Sequence, residues 1–158
     1  MKARGLDGKT YPLKLADRVA DRRPRSSGHL EARAILLAAF PFDKLHEEVH
    51  LPGCGADLYL DFLLLSRRLA VEVQGAQHAK FTPHFHGTPR GFAQARRRDA
   101  SKREWCDANG ITLLELDDGR RDEWPARVRG AFGEPEGVAP GLGGVEGGPP
   151  ADDGQDAR

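Results

Sequence analysis

Two apolar runs, Leu58 to Leu65 and Leu69 to Gln74, follow each other with only Ser66, Arg67 and Arg68 between them, and each carries a carboxylate among aliphatic neighbours. Their length and pattern predict two strands. Folded back as a hairpin centred on Ser66 and Arg67, they set Leu65 opposite Arg68 and, counting outward, Asp61 opposite Glu72. Gln74 then falls two residues further along the same side. Tyr59, Leu63 and Leu65 share the Asp61 side, while Phe62, Leu64, Val71 and Val73 cover the other. A strand apolar on both faces belongs in the interior of a sheet.

The flanking pattern supplies the other elements. Ser27 to Phe40 predicts a helix with Ser27 as N-cap, Glu31 in the opening turn, an apolar stripe of Leu30, Ala34, Leu37 and Ala38, and Pro41 ending it. Leu45 to Leu51 alternates as a strand that Pro52 and Gly53 close. Gly75 to Gly91 has no periodicity and is long for a plain connection, so it is expected to border a site. Gly91 to Asn109 predicts a second helix with Gly110 just past its end. Phe92, Ala95, Asp99, Lys102 and Cys106 share one face of that helix, an Asp and a Lys within an apolar stripe. Ile111 to Leu116 predicts a core strand, and Arg120 to Phe132 a short helix anchored by Trp124, Val128 and Phe132. At the amino terminus, a short strand or hairpin is expected around Asp7 and Gly8. The order predicts an α/β sandwich, a mixed central sheet flanked by helices.

Composition divides the chain. It has 158 residues and a formal net charge of zero. Residues 133–158 hold six acids (Glu134, Glu136, Glu146, Asp152, Asp153, Asp156) against Arg158 alone, a net of −5, so residues 1–132 carry +5. Eight glycines and four prolines in those last 26 residues leave too little apolar surface to offset chain entropy. The expected organisation is an extension over 1–26, one domain over 27–132 and a disordered acidic tail over 133–158. A basic domain suits a polyanion partner. No apolar run is long enough to span a membrane, the first residues lack a secretory h-region, and Cys54 and Cys106 are too few for a disulfide framework. A soluble cytoplasmic protein is expected.

Opposed carboxylates repel unless a cation lies between them. Asp61 and Glu72 are therefore read as oxygen ligands of a hard divalent cation such as magnesium, with the Gln74 amide oxygen and the Val73 carbonyl nearby. Arg96, Arg97, Arg98 and Arg103 supply a basic surface for DNA phosphates, with His84 and His86 flanking it. Two alternatives stand beside this reading. One is a zinc-stabilised DNA-binding protein with ligands drawn from Cys54, His78, His84, His86 and Cys106. The other is a noncatalytic nucleic-acid-binding module working through the arginine-rich helix.

Leu60-Asp61-Phe62, then Glu72-Val73-Gln74-Gly75-Ala76-Gln77-His78, then Arg98-Asp99-Ala100-Ser101-Lys102-Arg103-Glu104-Trp105-Cys106, in that order between helices, resembles the PD-(D/E)XK nuclease superfamily. The resemblance covers Ser26 to Leu116. It is nearest to the very-short-patch-repair type and related phage and homing endonucleases. It implies a restriction-endonuclease-like fold and a magnesium-dependent endonuclease, with manganese as a substitute, acting on DNA in repair, homing, recombination or restriction. Asp61 would be the central metal ligand and Glu72 a second ligand or water-orienting group. His78 would serve as general base or leaving-group acid, Glu31 and Asp99 would complete an acidic ring, and Lys102 would stabilise the charged phosphorane. Gln74 stands where most members carry Lys, and Leu60 where the family motif has Pro. An amide transfers no proton, so that work would pass to Lys102, His78 or the metal. A nicking monomer or weak dimer, in the cytoplasm of a bacterium or a phage-infected cell, is the expectation that follows.

Overall fold

The computed structural model describes residues 1–15, 25–75 and 89–131. Along them run β1 (Lys2–Arg4), β2 (Thr10–Pro12), α1 (Ser27–Ala39), β3 (Leu45–His50), β4 (Tyr59–Leu64), β5 (Leu69–Gln74), α2 (Pro89–Ala108), β6 (Thr112–Asp117) and α3 (Trp124–Gly130). Strands β3 to β6 form one mixed sheet in sequence order, antiparallel up to β5 and parallel between β5 and β6. The switch to parallel needs a crossover connection, and α2 lies within it.

The hairpin register is the expected one. Phe62 pairs with Val71, Leu63 with Ala70 and Leu64 with Leu69, which continues to Asp61 opposite Glu72. A one-turn 3₁₀ segment over Leu65–Arg67 and a left-handed Arg68 make the reversal. Both inner strands are buried on two faces. Phe62, Leu64, Leu69 and Val71 pack with Ala32, Leu36 and Phe40 of the α1 region and with Trp124 and Val128 of α3. Leu63 and Ala70 pack with Trp105 and Cys106 of α2.

Helix α1 is rotated from its expected setting. Its buried side is Gly28, His29, Ala32 and Leu36, whereas Leu30 and Leu37 are about half exposed and Ala34 and Ala38 are exposed. Leu36 and Leu37 can each anchor an apolar stripe. The choice falls to Leu36 because His29, on that stripe, meets the buried Glu47 of β3. The N-cap is Ser26 rather than Ser27, with the Ser26 hydroxyl accepting from the His29 amide at 3.1 Å.

Residues 1–15 join the core. The β1–β2 hairpin turns at Gly8 (φ 80°), and Ala3 and Leu13 are buried in the α2-side cluster. Gly5 and Gly53 pass so closely that a Cβ on Gly5 would lie 2.8 Å from the Gly53 Cα. Asn109, at the end of α2, accepts from the Arg4 amide at 2.7 Å and donates to its carbonyl at 2.9 Å, as a neighbouring strand would. The final helical region begins as 3₁₀ turns over Asp118–Glu123 before α3, and Phe132 and residues 133–158 lie outside the described residues.

Candidate active site

The β4–β5 ladder stops at Phe62 and Val71, and side chains take over from backbone one residue beyond. The Asp61 amide donates to Glu72 Oε1 at 2.9 Å, and the Val73 amide donates to Asp61 Oδ2 at 2.8 Å. Each carboxylate thus satisfies an amide that strand pairing would otherwise have used. Asp61 Oδ1 accepts no hydrogen bond among the described residues.

Glu72 is 5% exposed and projects toward α2. Lys102 reaches it from that helix, Nζ to Oε2 at 2.6 Å. Burial pushes the Glu72 carboxyl up to about 7, the Asp61 charge adds to the rise, and Lys102 opposes it. Desolvation and a like charge outweigh the one ammonium. The same low-dielectric setting pushes the Cys106 thiol up to about 12, with burial first and the Glu72 charge second.

Beyond Glu72 the parallel pair β5–β6 aligns Glu72 with Glu115 and Gln74 with Asp117. Gln74 Nε2 donates to Glu115 Oε1 at 3.3 Å, and Arg103 meets the same oxygen at 2.6 Å. These groups line an open cleft of about 720 Å³ at the carboxyl ends of the two strands, where Phe92, Arg96, Asp99 and Arg127 complete the wall. A smaller cleft of about 290 Å³ on the other side of Lys102 is bounded by Tyr59, Arg98 and Asp99. Asp99 borders both recesses, and neither Asp61 nor Glu72 lines either of them.

Of the residues singled out from sequence, Asp61, Glu72 and Lys102 are joined by hydrogen bonds, while Gln74 and Asp99 line the cleft at the strand ends. Phe92, Ala95, Asp99, Lys102 and Cys106 do face inward along α2, while Arg96, Arg97, Arg98 and Arg103 are exposed. Arg96 stacks over Phe92 at 5.9 Å, and Arg103 is engaged by Glu115. Glu31 takes a different place: it sits on α1, in the opposite layer, and pairs with Arg121 at 3.0 Å. His78, His84 and His86 lie outside the described residues. Glu115, Asp117 and Arg127 were missed, although the alternation of acids in Leu114-Glu115-Leu116-Asp117 marks one face of a strand and was there to be read.

Two carboxylates and an amide oxygen form a hard donor set suited to magnesium or manganese. Asp61 and Glu72 are the residues that would hold such an ion, with Glu72 exchanging Lys102 for it. Among the described residues no group of three or more His, Cys, Asp or Glu is placed to hold a metal ion. Cys54 and Cys106 are both free thiols packed in the α2-side core.

No family model matches the chain, and no solved structure matches it. Three proteins of iridescent viruses and a frog virus are similar to parts of it. The uncharacterized protein 307L of Invertebrate iridescent virus 6 is 42% identical over 60 residues, 38% of this chain and 30% of that protein. The uncharacterized protein 033L of Invertebrate iridescent virus 3 is 33% identical over 94 residues, 58% of this chain and 48% of that protein. The uncharacterized protein 094L of Frog virus 3 is 35% identical over 77 residues, 48% of this chain and 50% of that protein. The chain thus spans half the length or less of these relatives. Among the described residues no helix is long and apolar enough to cross a membrane.

Proposed function

We propose that the chain is a metal-dependent DNA endonuclease with a restriction-endonuclease-like α/β sandwich, akin to the very-short-patch-repair type. The observation that carries this reading is the Asp61 and Glu72 pair held in a gap of the β4–β5 ladder, with Lys102 2.6 Å from Glu72. Burial and mutual repulsion both oppose such a pair, which favours a functional role over a structural one.

Magnesium or manganese bound there would polarise the phosphodiester and supply hydroxide near neutral pH. The chain's own groups do the remaining work. Lys102, at 2.6 Å from Glu72, supplies the ammonium that offsets charge building on the phosphorus oxygens. The exposed Arg96, Arg97 and Arg98 on α2 meet the phosphate backbone. A nicking monomer is the simplest assembly, since one chain carries one such pair. The relatives make an infected eukaryotic cell the favoured setting over a bacterial or phage-infected one.

A second reading has its own support: both Glu72 oxygens are occupied by protein donors, and Gln74 transfers no proton. That arrangement suits a noncatalytic DNA-binding module of the same fold. Supercoiled plasmid incubated in magnesium, manganese and EDTA, beside Asp61→Ala, separates the two. Metal-dependent nicking that the variant loses while still binding DNA is the expected result. Binding without cleavage by the native protein in either metal would establish the module instead.

A further inference from the structure

Glu48 lies in the middle of β3 with φ 48°, a left-handed setting that residues other than Gly, Asn and Asp rarely adopt. The pairs Glu47↔Phe62 and Val49↔Leu60 flank it, so Glu48 falls opposite Asp61. In a regular strand residues two apart share a face. Here they do not: Glu47 and Phe62 turn toward α1, whereas Val49 and Leu60 pack in the α2-side cluster. Strands β3 and β4 are therefore both rotated at the Glu48/Asp61 level. At that same level β4 leaves the backbone ladder with β5.

A side-chain network is built around the left-handed residue. One guanidinium nitrogen of Arg25 lies 2.8 Å from Glu48 Oε1 and 3.7 Å from Glu47 Oε2. Adjacent side chains of an extended strand point to opposite faces, so a single arginine can hold both only if the backbone turns between them. Glu47 is fixed on its side by His29 at 3.0 Å and Arg33 at 2.9 Å, and the His29 ring rests on Phe62 at 4.3 Å between centroids.

We propose that the left-handed turn at Glu48, which the Arg25, Glu47 and Glu48 contacts accommodate, is a positioning device for the active site, which rotates β4 so that the Asp61 carboxylate enters the gap between β4 and β5. This rests on the endonuclease reading only for its catalytic consequence. Glu48 is then a positioning residue whose backbone conformation matters more than its charge.

The test compares Glu48→Gly, Glu48→Asn and Glu48→Val in the full chain. Three quantities are read: manganese affinity without DNA, kcat against KM for nicking, and hydrogen exchange of the Val73 amide that bonds Asp61. Gly and Asn accept the left-handed conformation and should stay within twofold of the native protein in all three. Val should lose tenfold or more in manganese affinity and in kcat, leave KM for DNA unchanged, and expose the Val73 amide to faster exchange. Should the Val variant not fold, Glu48→Ala against Glu48→Gly makes the same comparison. Val or Ala behaving as native, or Gly as impaired as Val, would overturn the proposal. A native protein that binds no metal and cuts nothing would end the endonuclease reading, while the order of Val73 exchange rates would still decide the positioning role of the turn at Glu48.

Discussion

Lys102 Nζ lies 2.6 Å from Glu72 Oε2, so the cation required by two opposed carboxylates arrives from a helix 30 residues further along the chain rather than from the next strand position. Gln74, two residues after Glu72, instead donates to Glu115. A strand and a helix facing each other across a layer can exchange such a role because the ammonium needs only to reach the same point in space.

Lys102→Met removes that cation and leaves Glu72 buried opposite Asp61. Breaking a buried pair on one side costs about 3–5 kcal/mol. Glu72 escapes that penalty by taking a proton, so at pH 8, one unit above its value of about 7, the loss should be about 1.4 kcal/mol, and much smaller at pH 5. Urea unfolding at the two pH values measures it, and an equal loss at both would mean that Lys102 does not stabilise the Glu72 charge. Nicking should fall with the variant while DNA affinity persists.

Glu72 also fixes a pH dependence. Its carboxyl rises in the folded protein from 4.5 to about 7 because burial disfavours the ionised form. The folded state therefore holds this proton more tightly than the unfolded chain. The stability it confers is complete below pH 4.5 and is lost as pH rises through 7. At about 1.4 kcal/mol per pKa unit the loss is on the order of 3 kcal/mol. Glu72→Gln should flatten this part of the profile and make the protein relatively more stable at pH 8 than the native chain. Thermal unfolding between pH 4.5 and 8.5 checks it, and identical slopes would remove Glu72 as the titrating group.

Asn109→Ala should release the amino-terminal hairpin without unfolding the sheet. The Asn109 side chain makes two bonds to the Arg4 backbone and a third to the Trp105 carbonyl at 2.8 Å. The Arg4 bonds are solvent-exposed, so water replaces the lost partner and each costs about 0.5–1.5 kcal/mol. Faster amide exchange at Arg4, with Val71 and Leu114 still protected, is the expected pattern; uniform loss of protection would show that the hairpin and sheet unfold together.

The order of strands and helices, the β4–β5 register and the inward face of α2 were legible in the amino-acid pattern, because each depends on spacing within one or two neighbouring elements. Counting outward from Ser66 and Arg67 was enough to oppose Asp61 and Glu72, and a period of three and four residues was enough to align Asp99 with Lys102. Contacts between distant segments were not legible. The rotation of α1 onto Leu36 depends on His29 finding Glu47 across the layer. Glu31, read as part of an acidic ring, is taken by Arg121 because α1 and the turn before α3 meet on the far side of the sheet. The left-handed Glu48 has no local signature either, since nothing in Leu45–His50 forbids a regular strand. Local periodicity decides which faces an element offers; only the packed structure decides which faces meet, because burial and ion pairing are settled by partners far away in the chain.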